Sequence, residues 1–290
     1  MKRGLYERVL PTDRWSARIV SPVDIRHNIP QDYDSIAVLV GGWGKAPERY
    51  RRLMGRILAE GILALGVDTR WAYSDRRQPR KNLIQQSWRV GSNNPDFDVT
   101  SRADNRWLYR QPTTLLDVLD RLEVGERSYI GHSKGGSIAT LATVARPDEV
   151  KKLIVVNGAG TGDSSNGIAR LVRSNKNRAK ELVHTRADLA EAMLSALGST
   201  VYTMAHLRRT NEERRRDLQK TDTWSNIDKL EFEDVDVTVM HAKEDEMISF
   251  ADCSERATSR DWVKFIPTEG GHSSIYETTV HNILIGELRL

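Results

Sequence analysis

Short apolar runs alternate along the chain with longer stretches in which apolar residues recur at helical spacing. A run of four to eight apolar residues bounded by turn formers is the pattern of a strand buried on both faces, whereas apolar residues three and four apart mark one face of a helix. On that basis 36–40, 67–73, 127–130, 150–157, 237–240 and 262–266 are expected as strands, and 47–65, 112–122, 137–145 and 273–288 as helices. Pro47 suits a first helical turn and Gly66 a helix stop. Residues 15–20 and 25–28 read as an N-terminal hairpin. Strands alternating with helices predict an α/β fold with a doubly wound, mostly parallel sheet.

Two stretches break the alternation. Residues 74–110 are polar, basic and rich in Asn without a clear period, and are expected as a long loop with one helical turn near 83–88. Residues 161–226 exceed what a crossover needs. After a loop at 161–167, the segments 168–182, 186–197 and 200–219 have the spacing of amphipathic helices, so 161–226 is expected as a helical lid on a core built from 1–160 and 227–290. Met193, Leu197, Val201, Tyr202, Met204 and Leu207 are candidate pocket residues, Met204 and Leu207 foremost, although the same spacing suits lid helices packing on one another.

The chemistry gathers at strand ends. Gly131-His132-Ser133-Lys134-Gly135-Gly136 joins an apolar run to a helical one, the context in which a sharp turn presents a serine hydroxyl and glycines flank it because side chains would clash. Ser133 is the candidate nucleophile. A serine needs a histidine base and a carboxylate that holds the imidazole in one tautomer. Asp245 follows the run Val237-Thr-Val-Met240, and His272 follows Trp262-Val-Lys-Phe-Ile266 and a Gly-Gly pair, giving the chain order Ser133, Asp245, His272. Asp163, after the preceding strand, is the competing carboxylate. Gly41-Gly42-Trp43-Gly44 ends the first strand-like run, and the amides of Trp43 and Lys134 are the expected oxyanion donors, with Gly42 and His132 beside the substrate.

These motifs resemble the α/β-hydrolase superfamily, specifically its capped serine esterase and lipase-like members, across nearly the whole chain. Gly41 stands where that family often has histidine, and Ala242 where it often has glycine before the acid. Serine at the elbow separates the chain from branches with aspartate there. The resemblance implies hydrolysis of a small-molecule carboxylic ester through an acyl-enzyme, with no cofactor. The same three residues also serve thioester hydrolysis, C–C bond hydrolysis and perhydrolysis, and a low-turnover ligand-binding role is the alternative outside catalysis.

Composition narrows the partners. With 290 residues, of which 39% are hydrophobic, the chain can bury a full core. The net charge of +4 is small, and Glu212-Glu-Arg-Arg-Arg-Asp217 mixes signs as a solvated helix does, so no nucleic-acid partner is expected. No apolar window nears the roughly 20 residues of a membrane span, and Met1-Lys-Arg-Gly-Leu-Tyr lacks a sustained apolar region, so a cytoplasmic protein is expected. Cys253 is the single cysteine, and the histidines lack ligand spacing, so neither disulfide nor metal is expected.

Overall fold

Neighbouring residues of each apolar run face opposite sides of one sheet, and in the central strands both sides are buried. The computed structural model describes residues 5–11, 16–25, 29–30, 33, 35–42, 47–68, 106–162 and 222–290. Within them lie β1 (Tyr6–Pro11), β2 (Ser16–Ser21), β3 (Ile36–Val40), β4 (Leu63–Asp68), β5 (Arg127–His132), β6 (Val150–Val156), β7 (Asp236–Ala242) and β8 (Lys264–Thr268). The longer helices are α1 (Arg51–Ala59), α2 (Arg106–Arg121), α3 (Lys134–Ala145), α4 (Phe250–Thr258) and α5 (Thr278–Arg289). The strands form one sheet in the order β1-β2-β4-β3-β5-β6-β7-β8, parallel from β4 to β8 and antiparallel at β1 and β2.

Parallel neighbours require crossovers over the sheet faces, so each strand must be apolar on both sides. Val38, Val40, Tyr129, Leu153, Val155 and Val239 join one core with α2, α3 and α4, while Ala37, Leu39, Ile130, Ile154, Val156 and Met240 join the other with α1 and α5. From β3 the chain passes to β4 on one side and then back across to β5 on the other. The winding of the sheet therefore reverses at β3, and in open α/β sheets functional loops gather at the carboxyl ends of the strands beside such a reversal.

Several boundaries differ from expectation. The helix expected over 47–65 is a 3-10 turn, Pro47–Tyr50, followed by α1, which stops before Gly61 at φ 79°. Gly66 is no helix stop; it lies inside β4, where a Cβ would come within 2.8 Å of the Pro47 Cβ. Helix α2 starts at Arg106, ahead of the expected 112, and carries Pro112 inside it. The hairpin partner of β2 is β1, upstream, and β4 pairs its other edge; of the strand expected at 25–28, residues 26–28 lie outside the described residues.

Of the loop expected at 74–110, residues 74–105 lie outside the described residues and 106–110 belong to α2; of the lid expected at 161–226, residues 163–221 lie outside the described residues. The two ends of the latter stretch meet. The Trp224 indole N–H donates to the Thr161 carbonyl (2.7 Å), the Thr223 amide to Gly160 (3.2 Å), and the Thr223 hydroxyl to Ala159 (2.5 Å). Trp224 belongs to the core packed under α3. No helix among the described residues is long and apolar enough to cross a membrane.

Buried His281 on α5 donates from Nε2 to the Ile275 carbonyl (2.9 Å), and burial, reinforced by the Arg56 and Arg52 charges, brings its pKa down to about 4. The unfolded chain, near 6.5, then binds the proton first as pH falls. This contribution to stability is complete above about pH 6.5 and is lost toward pH 4, by about 3 kcal/mol at most. Urea midpoints measured from pH 8 to pH 4 should fall along this limb, and His281→Gln, which keeps an N–H donor that does not titrate, should flatten it.

Candidate active site

The turn after β5 is tightly constrained. Ser133 has φ 55° and ψ −122°, a conformation that L residues avoid, between a strand and a helix. A Cβ on Gly135 would stand 2.0 Å from the Val40 carbonyl oxygen, and one on Gly131 would stand 2.5 Å from the Gly135 carbonyl oxygen. Glycine is therefore required at both places for α3 to leave the sheet at this angle. Main-chain bonds hold the strained residue: the Ser133 amide donates to Val156 (2.9 Å), and its carbonyl accepts from Gly136 (2.9 Å) and Ala159 (3.0 Å).

The Ser133 hydroxyl lies 2.9 Å from His272 Nε2, and His272 Nδ1 lies 2.8 Å from Asp245 Oδ2. The carboxylate accepts, so Nδ1 carries the hydrogen and Nε2 is left as the acceptor for the serine hydroxyl. Asp245 Oδ1 accepts the amides of Met247 (2.7 Å) and Ile248 (3.0 Å), which fixes the carboxyl plane. Burial pushes the Asp245 pKa up, but the His272 charge and hydrogen bond, with His241 and the Ile248 amide, outweigh it and hold this carboxyl below the usual carboxylate range. The acid loop is joined to the base loop by Lys243 N to Thr268 O (2.8 Å) and Glu244 N to Gly270 O (3.0 Å).

A second histidine lies below the acid. Buried His241 donates from Nε2 to the Ile248 carbonyl (3.2 Å), 3.6 Å from Asp245 Oδ2, and burial lowers its pKa, keeping it neutral. Its Nδ1 has no hydrogen-bond partner among the described residues.

Two residues that the sequence reading passed over shape the base loop. Asn157, at φ 48°, accepts the Ala242 amide (2.8 Å) and donates to the His272 carbonyl (3.0 Å) and the Ser274 hydroxyl (3.1 Å). An asparagine closing an apolar strand ahead of a glycine is a signal for this left-handed position. Tyr50 bridges the Gly42 amide (3.3 Å) and His132 Nδ1 (3.1 Å). It sits in the turn before α1, with no sequence signal to mark it.

Of the residues singled out in the sequence, Ser133, His272 and Asp245 stand together in one hydrogen-bonded series. Gly42 lies against the serine, where a Cβ would be 3.0 Å from that of Ser133. Lys134 opens α3 and is buried. His132, expected beside substrate, is 2% exposed and has both ring nitrogens engaged inside the protein, with Tyr50 and with the His272 carbonyl (3.0 Å). Trp43, Met204, Leu207 and Asp163 lie outside the described residues. The series can carry a proton from a hydroxyl to an imidazole backed by a buried carboxylate, the requirement for turning serine into a nucleophile.

No protein-family model matches the chain. The karrikin insensitive 2 receptor CA of Petunia hybrida is 30% identical over 79 residues, 27% of this chain and 28% of the receptor, so the match spans little more than a quarter of that relative. Solved structures resemble the chain along most of its length. A 2-hydroxy-6-oxo-6-phenylhexa-2,4-dienoate hydrolase from a Rhodococcus strain has a TM-score of 0.69 at 16% identity over 99% of both chains. A bacterial membrane phospholipase A has 0.68 at 15% identity over 99% of this chain and 86% of its own. An esterase from Exiguobacterium antarcticum has 0.60 at 15% identity over 97% of this chain and 98% of its own. At such identities the likeness establishes the fold, and the fold is that of the α/β-hydrolases.

Gly135→Ala should cost about 3 kcal/mol, the upper end for an overpacked site, since the added methyl meets backbone that cannot yield. Gly55→Ala is the control: beyond the backbone of α1 itself nothing lies within 4 Å of its added methyl, and a gain of roughly 0.5–1 kcal/mol is expected. Paired chemical-denaturation curves measure both.

Proposed function

We propose that this chain, with its α/β-hydrolase fold, is a serine hydrolase that cleaves carboxylic esters through an acyl-enzyme. The hydrogen-bonded series from Ser133 through His272 to Asp245, starting at a strained elbow, carries this reading. His272 takes the hydroxyl proton as Ser133 attacks the ester carbonyl, and returns it to the departing alcohol. A water deprotonated by the same imidazole then attacks the acyl carbon, the acyl–Oγ bond breaks, and His272 returns the proton to Ser133 as the acid leaves. Asp245, held as an anion, orients the ring and stabilises its cation. The amides of Trp43 and Lys134 hold the oxyanion in this scheme; Lys134 supports it by opening α3, whose N-terminal dipole favours negative charge. No step needs a cofactor.

We assign the insertion 161–226 the part of a lid, except at its two ends, which the core holds. Its described ends, at Thr161 and Trp224, are joined just beyond the carboxyl end of β6, on the side of the sheet where Ser133 stands. A reducing, cytoplasmic compartment suits Cys253, which is buried in α4 with its thiol pushed up to about 12 by burial.

C–C bond hydrolysis is the second reading, favoured by the Rhodococcus dienoate hydrolase among the structural relatives. Turnover of p-nitrophenyl esters against vinylogous diketones separates the two. A ligand receptor with little turnover is the third, favoured by the petunia match, and fluorophosphonate labelling of Ser133 decides it.

Ser133→Ala should lower p-nitrophenyl ester hydrolysis by roughly 10³-fold or more while the unfolding midpoint stays unchanged. Full activity in that variant would end the assignment. Asp245→Asn should lose a comparable factor and Asp163→Asn far less; the reverse ranking would move the acid to Asp163. Met204→Ala and Leu207→Trp should shift the preference between short and long acyl esters more than they change the fluorophosphonate labelling rate. Equal shifts in both would make the segment a structural one.

A further inference from the structure

We propose that Tyr50 and His132 act as a strut between the oxyanion turn and the base loop, so that both are positioning residues for His272. The inference rests on the serine hydrolase reading above. His132 ends β5, directly before Ser133, and its ring nitrogens engage in opposite directions.

The donors and acceptors along this path can be assigned one by one. The His272 carbonyl can only accept, so the His132 Nε2 at 3.0 Å carries a hydrogen. In the neutral ring Nδ1 is then a lone pair, and the Tyr50 hydroxyl at 3.1 Å must donate to it. The Tyr50 oxygen in turn accepts the Gly42 amide at 3.3 Å. The path therefore runs one way, from Gly42 beside the serine, through Tyr50 and His132, to the peptide carbonyl of His272. Burial drives the Tyr50 pKa well above its ordinary value, so its hydroxyl keeps the proton it donates.

Two further observations converge on that carbonyl. Asn157 donates to it at 3.0 Å while fixed to the Ala242 amide, so the carbonyl is held from the oxyanion side and from the acid side at once. The rings pack as a cluster: His132 lies 5.4 Å from the His272 ring and 6.0 Å from that of Tyr276, which is 5.5 Å from Tyr50. The carbonyl belongs to the residue whose Nε2 must stay 2.9 Å from the Ser133 hydroxyl. A shift of about 1 Å at such a base is enough for a loss of about 10²-fold.

The test compares His132→Gln, His132→Asn, His132→Leu and Tyr50→Phe, with Ser133→Ala in parallel. Turnover of p-nitrophenyl acetate is expressed per active site titrated with fluorophosphonate. Gln carries an N–H donor to the position of His Nε2, whereas the shorter Asn does not reach it. His132→Leu and His132→Asn should lower kcat by about 10- to 100-fold with KM changed less than about threefold, and His132→Gln should recover most of the loss. Tyr50→Phe should lose about 3- to 10-fold. His132→Leu combined with Asn157→Ser should lose more than the product of the two single losses, because both donors serve one carbonyl. Gln and Asn giving the same kcat, or a loss that disappears once turnover is normalised to titrated sites, would overturn the strut while leaving the hydrolase reading intact. Turnover persisting in Ser133→Ala would overturn the hydrolase reading itself, and the strut's role with it.

Discussion

The first turn of α3 rests directly on the backbone ends of β3 and β5, and the geometry of the site depends on that contact. With 2.0 Å between a notional Gly135 Cβ and the Val40 oxygen, and 2.9 Å between a notional Gly136 Cβ and Val155 Cγ1, the helix has no room for side chains on this face. Every residue of α3 is buried, so the helix has packing on all sides and cannot rotate to relieve the turn. The strain in Ser133, of order 1–3 kcal/mol, is supported by the three main-chain bonds that reach it from β6 and from the turns that follow Ser133 and β6. The backbone from which the hydroxyl projects toward His272 is thereby fixed by main-chain bonds.

Charge is managed by a different means. A carboxylate as buried as that of Asp245 would ordinarily take up a proton, and burial does push in that direction. Two amides on one oxygen and two imidazoles near the other reverse the outcome. His241 contributes a polarised N–H near the acid without adding a cation, because burial keeps it neutral. One side of Asp245 thus faces main chain and the other faces rings, so the lone pair presented to His272 is well defined.

The strands β6 and β7 were legible because burial on both faces leaves a nearly continuous apolar run, and β5 and β8 because short apolar stretches lead into the glycine-bearing turns that follow them. The elbow was legible because two glycines flanking a serine at a strand-to-helix junction have a steric cause. What escaped depended on partners distant in sequence. Gly66 resembled a helix stop, yet the shape of that position is set by Pro47 and Val20 across the fold. Strand β1 went unseen because its pairing with β2 supplies the evidence for it. Asn157 and Tyr50 act through bonds that span between 8 and 117 positions, which no local pattern encodes.

The seam between Ala159–Thr161 and Thr223–Trp224 bears on how such a protein can diversify. Because the core closes that junction itself, the chain running out and back between its two sides begins and ends at fixed points a few ångströms apart. The entropy of closing a loop grows only with the logarithm of its length, so doubling the excursion costs about 0.6 kcal/mol. Sequence and length there can drift widely while the strands beneath keep their register. The seam anchors both ends of that excursion in the core, so what the excursion carries can be rewritten without disturbing the strands beneath.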